Sequence, residues 1–195
     1  MLPRNNVQVI AVDAEGVTLR TQNGDERLPT RTVLWAAGVR PSPFAKVLEE
    51  RAGAKLERRG QVMVAPDLSV PGHPEIFVVG DMAFLEQDGK ALPGVAPLAM
   101  QQGRYVAKLI RAQAEGKTVP PFRYHDKGSL AVIGRAAGVA DFGRLHFHGW
   151  PAWLLWLFVH LMYLAQFRNR VLVFIRWGFQ YLSFDRGARL ITGEK

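Results

Sequence analysis

The sequence contains no cysteine among its 195 residues. This absence excludes a disulfide framework, a cysteine-ligated zinc site and a redox-active thiol pair within the chain. Acidic residues are also scarce, with 17 Asp and Glu against 25 Lys and Arg, and the formal net charge is +8. Such a surplus favours a polyanionic neighbour, either nucleic acid or anionic lipid headgroups. Because no nucleic-acid-reading motif accompanies the charge, we expect lipid and no nucleic acid.

Glycine-rich nucleotide turns are absent as well, since no G-x-G-x-x-G occurs in the chain. That turn places a dinucleotide pyrophosphate on a helix N-terminus directly after a strand. Residues 1–6 also lack the apolar core of a secretory signal. We therefore expect any membrane attachment to come from the C-terminal end.

Strand-type and helix-type patterns alternate along the first 142 residues, with no internal repeat. The predicted helix after residue 97 carries a basic face of Arg104, Lys108 and Arg111, which is more typical of a solvated surface than of a phosphate site. The predicted segments are a hairpin of strands at 7–12 and 16–20, a turn at 23–24, a strand centred on 32–36, a short helix at 44–51, strands at 61–64 and 76–79, a helix at 98–115, and a hairpin of strands at 129–133 and 138–142.

Gly80 and Asp81 follow the apolar run at 76–79 and are the first candidate ligand contacts. A glycine at the end of a strand lets a ligand approach the backbone closely. An aspartate there offers only acceptors to a ligand crevice and suits sugar-alcohol hydroxyls such as a ribityl chain. Taken alone, the pair is more typical of a plain turn with a capping aspartate than of a ligand site.

Four further segments appear in order with Gly80-Asp81. They are a strand, small-residue turn and proline at 33–41, the segment Ala96-Pro-Leu-Ala-Met-Gln-Gln-Gly103 that opens a helix, the hairpin at 127–142, and an aromatic tail from Trp150. With these segments the chain resembles the FAD-dependent pyridine nucleotide-disulfide oxidoreductases, and in particular the type II NADH:quinone oxidoreductases (alternative NADH dehydrogenases).

The resemblance implies an α/β fold: a partial two-dinucleotide-binding-domain (Rossmann-like) flavoprotein fold with a C-terminal amphipathic helical membrane anchor. It implies closing strands of an NAD(H)-binding domain at 1–40, part of an FAD-binding domain with the quinone segment at 41–143, and an anchoring tail at 144–195. The cofactor is then FAD and the substrate NADH. The implied FAD contacts are Gly38, Gly80, Asp81 and Ala99, and the implied quinone contacts are Met100, Gln101 and Gln102.

Two features depart from the family. Pro97 stands where many members have a glutamine placed to contact quinone, and proline offers neither a side-chain amide nor a backbone N–H. Both glycine-rich turns of the family are missing, so we expect this chain to be the C-terminal portion of a longer protein. Parallel strands need cover on both faces. We therefore predict that the isolated chain folds incompletely and binds FAD weakly or not at all.

The tail from Trp150 to Phe167 contains no Asp, Glu, Lys or Arg. As one helix it would measure about 27 Å against a hydrocarbon core of about 30 Å. Clustered tryptophans, the arginines at 168 and 170, and a polar stripe at Asn169, Arg176, Gln180 and Ser183 favour helices lying in the membrane interface. A membrane-crossing helix and a buried homodimer contact are the alternatives.

The function implied is electron transfer from NADH through FAD to quinone without proton pumping, at the cytoplasmic face of the membrane as a peripheral protein. The alternatives are a ferredoxin or sulfide:quinone reductase, which the tail and the missing cysteines respectively oppose, and a non-enzymatic membrane-binding fragment. His146 and His148 alternate as on a strand, but only Asp141 lies near them in sequence, so we expect no metal site. His160 is expected to have an interfacial or helix-packing role and no catalytic one.

Overall fold

The computed structural model describes residues 3–36, 38–164 and 166–183. The chain forms two compact units, Met1–Leu85 and Glu86–Lys195. The functional boundaries predicted at residues 40 and 143 do not coincide with this division, and the division by function stays a prediction. The fold is a mixed α/β fold, as predicted, and each unit contains its own helices and sheets.

The first unit opens with an antiparallel meander of β1 (Gln8–Asp13), β2 (Gly16–Thr21) and β3 (Gly24–Pro29). The β1–β2 turn closes because the Asp13 carboxylate accepts hydrogen bonds from the backbone N–H groups of Glu15 and Gly16, at 2.9 and 3.1 Å. This local signal is readable in the sequence, and the predicted hairpin is confirmed.

The strand predicted around Thr32–Ala36 is wrong. These residues do not form a strand, and Leu34 and Trp35 are 90% and 63% exposed. A strand is held by a hydrogen-bonded neighbour. Within the described part of the chain no strand pairs with this segment, so its apolar residues have nothing to cover them.

The core of the first unit lies between helix α1 (Phe44–Ala52) and four short strands. The predicted helix is confirmed, and Ala45 and Leu48 are its buried residues. The strands are β4 (Val62–Met63), which pairs in parallel with β7 (Ala83–Phe84), and β5 (Ser69–Val70), which pairs antiparallel with β6 (His73–Phe77).

The strand predicted at 76–79 is displaced. It runs from His73 to Phe77 because it pairs antiparallel with the preceding strand β5, with Ser69 opposite Phe77 and Val70 opposite His73. Val78 is buried and donates a backbone hydrogen bond to the Leu68 carbonyl at 3.0 Å, whereas Val79 is already exposed. A single 3₁₀ turn, Gly80–Met82, then leads into β7.

The second unit contains the small hairpin β8 (Glu86–Gln87) and β9 (Lys90–Ala91), helix α2 (Ala96–Ala114), and the antiparallel sheet β10 (Ser129–Gly134), β11 (Ala137–Asp141) and β12 (His146–Gly149). Helix α2 is confirmed and begins two residues earlier than predicted, since Pro97 is tolerated in a first helical turn. The basic face of Arg104, Lys108 and Arg111 is exposed, as predicted. The strand β12 was not predicted.

Two helices follow the sheet, α3 (Trp150–Tyr163) and α4 (Phe167–Ser183). The tail is helical, as predicted, but Trp150 to Phe167 do not form one continuous helix, because α3 ends where Leu164 turns extended. The helices pair through stacked Trp156 and Trp177 rings, 5.8 Å apart, and through Trp153 and Tyr181 at 5.2 Å. Neither these helices nor any other in the described ranges combines the length and the apolar character that crossing a membrane requires.

Candidate functional site

The Gly80–Asp81 turn holds the predicted flavin contacts of the first unit. Gly80 has φ +70°, a left-handed conformation that favours glycine. The Gln61 side chain donates to the backbone oxygens of Asp81 and Ala83, at 2.9 and 3.3 Å. These bonds fix the backbone of the turn and leave the Asp81 carboxylate exposed at the surface. The arrangement fits an acceptor for ligand hydroxyl groups.

Gly38, the other predicted contact of this unit, is exposed and has φ +78°. Space around it is open, since a Cβ built there would meet nothing within 4 Å. Its conformation, and not crowding, is what requires glycine. Ala37, which the resemblance includes in the same turn, lies outside the described residues.

The remaining predicted contacts lie on the first two turns of α2. Ala99 is partly buried and Met100 is exposed, whereas Gln102 is buried with only 1% of its surface accessible. No side-chain nitrogen or oxygen buried within the described ranges lacks a hydrogen-bond partner, so the Gln102 amide is satisfied. Its role as a quinone contact stays a prediction.

Gln101 has a structural role that the sequence did not reveal. Its Nε2 donates to the backbone oxygen of His125 at 2.9 Å, and its Oε1 accepts from the His125 N–H at 3.1 Å. Gln87 of β8 makes the same pair of bonds with the residue before His125. Its Nε2 donates to the Tyr124 backbone oxygen at 3.2 Å, and its Oε1 accepts from the Tyr124 N–H at 2.8 Å. We call this pair of side chains the glutamine clamp. It holds two consecutive residues as a neighbouring strand would.

A cavity of about 730 Å³ lies beside the clamped segment. Its walls come from the start of α2 at Val95 and Pro97, the segment 124–130, Phe142 of the sheet region, and the side of α3 that carries Phe158 and Met162. Its volume is within the usual range of small-molecule sites, and most of its wall is apolar with few polar groups. Pro97, the departure from the family, lies in this wall.

Tyr124 is the most buried polar side chain lining the cavity, at 8% exposure. Burial raises the pKa of Tyr124 above the ordinary tyrosine value, and the nearby Asp126 charge raises it further. The phenol therefore stays protonated at neutral pH and can donate a hydrogen bond. Tyr124, Phe158 and Met162 were missed in the sequence, where only the aromatic character of their surroundings was visible.

The outer surfaces of α3 and α4 are apolar. On α3, Leu154, Phe158 and Met162 follow one another at intervals of four residues and are exposed. On α4, exposed apolar side chains cover one broad side, while the predicted polar stripe of Asn169, Arg176, Gln180 and Ser183 covers another. The exposed apolar residues of α4 include Phe167, Leu172, Phe174, Ile175, Phe179 and Leu182.

Histidines do not form a metal site in the described ranges, where no group of three or more His, Cys, Asp and Glu side chains could hold an ion. His146 lies 3.3 Å from Asp141 as a surface pair across β11 and β12. His160 stacks on Trp156 at 4.2 Å, and its Nδ1 lies 2.8 Å from the Trp156 backbone oxygen. Its predicted packing role is in keeping with these contacts.

Comparison with known families gives two matches in series. The model described as "Pyridine nucleotide-disulphide oxidoreductase" matches residues 2–103, and the model described as "NDH2 C-terminal domain" matches residues 126–186. The first covers just over half of the chain. The cavity draws its walls from both matched regions.

Curated relatives are type II NADH:quinone oxidoreductases. NdhA of Mycobacterium tuberculosis is 42% identical over 195 residues, which are 97% of this chain and 41% of the relative. Ndh of the same organism is 40% identical over 191 residues, with 96% and 40% covered. The Staphylococcus haemolyticus enzyme is 36% identical over 134 residues, with 67% and 32% covered. The chain thus spans about two fifths of the length of the first two relatives.

Solved structures give the same fold. NDH2 from Plasmodium falciparum, solved in complex with NADH, superimposes with a TM-score of 0.75 at 18% identity, covering 90% of this chain and 50% of that one. At that identity the similarity establishes the fold alone.

Proposed function

Because the chain belongs to the pyridine nucleotide-disulphide oxidoreductase family and, within it, to the type II NADH:quinone oxidoreductases, we propose that it carries the flavin turn, the quinone cavity and the membrane-binding helices of an enzyme that passes electrons from NADH through FAD to quinone. The nucleotide-binding glycine turns that the reaction needs are proposed to lie on sequence outside this chain, in keeping with its share of the relatives' length.

The cavity beside the glutamine clamp is the observation that supports quinone as the substrate. Its walls are largely apolar, and one of them is α3, whose Phe158 and Met162 are exposed on the same helix that shapes the cavity. A hydrophobic quinone dissolves in lipid. A cavity walled by a lipid-facing helix gives such a molecule a route that avoids water.

FAD, when bound, supplies the hydride acceptance from NADH and the transfer of two electrons to quinone. The Asp81 carboxylate is proposed to accept hydrogen bonds from the ribityl hydroxyls, while Gly80 and Gly38 allow close approach to the backbone. Ala99 is proposed to lie against the flavin ring. Met100, Gln101 and Gln102 are proposed to border the quinone site from the first turns of α2, next to the cavity, whose lining includes Pro97 of that helix but none of these three residues. The apolar tail segment offers no carboxylate for a proton path, so no pumping is proposed.

Helices α3 and α4 are proposed to lie in the interfacial region of the membrane, as a peripheral attachment on its cytoplasmic face. Residues 142–184 contain four arginines and no Asp or Glu, which suits anionic headgroups. The exposed apolar side chains would insert among the acyl chains. A homodimer through the same surface is the alternative, which the oligomeric state in detergent would reveal.

Quinone binding can be tested on the chain itself with menadione, a naphthoquinone that quenches tryptophan fluorescence. We expect saturable quenching by the purified chain in detergent micelles. Met162→Trp adds bulk at the cavity wall and should weaken binding about tenfold or more. Leu154→Trp is the matched control, because Leu154 lies on the same ridge of α3 and does not line the cavity. Equal binding by both variants would contradict the assignment of the site.

The flavin spectrum separates the enzyme portion from a membrane-binding module without redox function. We expect the chain alone to purify with less than stoichiometric FAD, and added FAD to bind weakly but measurably. Asp81→Ala should abolish that residual binding, whereas Asp88→Ala, an exposed aspartate in the β8–β9 turn, should not. The deciding case is the chain joined to the nucleotide-binding portion proposed above: bound flavin would support the enzyme, and a joined protein that stays colourless would favour the membrane module.

A further inference from the structure

We propose that the Tyr124 hydroxyl donates the hydrogen bond that holds a quinone carbonyl in the cavity, and that the glutamine clamp positions it to do so. The inference rests on the proposed function, because it concerns the substrate of that same cavity. It assigns to Gln101 a positioning role in place of the direct contact expected from the sequence.

A quinone carbonyl can only accept hydrogen bonds, so the cavity must supply a donor. Pro97 has no donor to offer. The neutral hydroxyl groups lining the cavity are those of Tyr124, Ser129 and Tyr163. Ser129 and Tyr163 are exposed, the latter at 48%, and their hydroxyls are shared with solvent. Tyr124 is buried, where a hydrogen bond is stronger than in water.

The present partner of the Tyr124 hydroxyl holds it only loosely. That partner is Asp126 Oδ1, at 3.5 Å, far longer than the 2.7–2.8 Å usual for an O–H···O bond. Asp126 Oδ1 also accepts from the Gly128 backbone N–H at 2.9 Å. If the Tyr124 hydroxyl turns to a ligand, Asp126 keeps that shorter bond, so the exchange leaves no acceptor without a donor.

The glutamine clamp explains why Tyr124 stays in place without a ligand. Four hydrogen bonds of 2.8–3.2 Å join the side chains of Gln87 and Gln101 to the backbone of Tyr124 and His125. They tie the segment to β8 on one side and to α2 on the other. A donor that is already oriented loses little freedom when the ligand binds.

The first test removes the hydroxyl alone. Tyr124→Phe keeps the ring and should weaken menadione binding roughly three- to tenfold, as expected for the loss of one net hydrogen bond. Tyr105→Phe is the matched control, with the same atom removed from a tyrosine that does not line the cavity, and should change the dissociation constant less than twofold. Near-ultraviolet circular dichroism of both variants checks that the tryptophan environment of α3 is retained.

Infrared spectroscopy measures the hydrogen bond directly, because the carbonyl frequency of the quinone would not change if the Tyr124 hydroxyl only supported the fold. With menadione labelled with carbon-13 at its carbonyl groups, a hydrogen bond lowers the stretching frequency of the carbonyl that accepts it. We expect a downshifted band in the wild-type complex, its return to the unbonded position in Tyr124→Phe, and no change in Tyr105→Phe. An unchanged downshift in Tyr124→Phe would overturn the proposal.

A double-mutant cycle separates positioning by Gln101 from direct contact. If Gln101 acts through Tyr124, Gln101→Ala weakens binding in the wild-type background and has little further effect in the Tyr124→Phe background. Additive effects would mean that Gln101 contacts the quinone itself and would overturn the positioning role. If the wild-type chain shows no saturable menadione binding, the proposed function fails together with this inference, whereas normal binding by Tyr124→Phe with the same infrared band defeats this inference alone.

Discussion

Gly138 of β11 lies directly against the backbone of Trp153 in α3. A Cβ atom built on Gly138 would stand 2.8 Å from the Trp153 nitrogen and 3.0 Å from the Ala152 carbonyl carbon. Contacts this short with backbone atoms cannot be relieved by a side-chain rotation. The sheet and the helix therefore meet at their backbones, with Ala152 fully buried between them.

Gly138→Ala should push α3 away from the sheet. We expect a loss of about 1–3 kcal/mol in the free energy of unfolding, the usual cost of an overpacked contact. Urea unfolding followed by tryptophan fluorescence measures it, because four of the five tryptophans lie on α3 and α4. Gly134→Ala is the control in the same hairpin, where the added Cβ would meet its nearest neighbour at an ordinary 3.9 Å. Equal stability of the two variants would show that α3 does not rest on Gly138.

Membrane binding should depend on apolar insertion more than on charge. We expect the chain to stay on anionic vesicles in 1 M salt, where the Debye length is about 3 Å, and to leave them in detergent. Phe179→Asp should remove about 1.5–3 kcal/mol of binding free energy or more, since Phe179 is 67% exposed on the apolar side of α4. Asn169→Asp adds the same charge on the polar stripe and is the control. Vesicle sedimentation that releases the wild type in salt alone would contradict apolar insertion.

The pairing of α3 with α4 should rest on Trp177. Trp177→Ala removes the ring stacked on Trp156 and is expected to lower the free energy of unfolding by about 2–4 kcal/mol, somewhat below the cost for a fully buried tryptophan. The circular dichroism couplet between the two indole groups should disappear with it. Trp150→Ala, at an exposed position of α3, should leave that couplet intact.

Arg27 should control the acidity of Asp13 in the meander. The hydrogen bond from the Arg27 guanidinium, helped by the backbone N–H of Glu15, lowers the pKa of Asp13 from 3.8 to about 2. Because the folded pKa lies below the unfolded one, the pair stabilises the fold above about pH 4, and this contribution is lost as the pH falls towards 2. In Arg27→Gln the pKa should return towards 3.8, as measured by NMR titration of the Asp13 carboxyl carbon. Arg20→Gln, which breaks the separate Arg20–Asp25 pair, should not move it.

Elements with local signals could be predicted from the sequence, and those that depend on distant partners could not. The β1–β2 hairpin has Asp13 to close its turn, and α2 has its own apolar face. By contrast, the segment at 32–36 has the composition of a strand but no neighbour to pair with in the described chain. The end of α3 could not be predicted because the tail is uniformly apolar. The helix ends just before Leu164, whose backbone oxygen accepts a hydrogen bond of 2.9 Å from Arg170 Nε.

The residues of the candidate site also divide into those with a local sequence signal and those placed by distant parts of the chain. Gly80 and Asp81 were found because a strand followed by glycine and aspartate is a local pattern. The importance of Tyr124 was not visible, since its position is set by Gln87, 37 residues away, and the cavity it lines shares a wall with α3. Gln101 was identified for its place at the start of a helix, but its partner, the backbone of His125, is set by the tertiary fold.

Phe158 and Met162 belong both to the outward ridge of α3 and to the wall of the cavity. If that ridge lies among acyl chains, the substrate enters sideways, and the concentration it meets is its mole fraction in the surrounding lipid. The half-saturating amount of quinone should then rise in proportion to the lipid added at a fixed quantity of protein, as in surface-dilution kinetics.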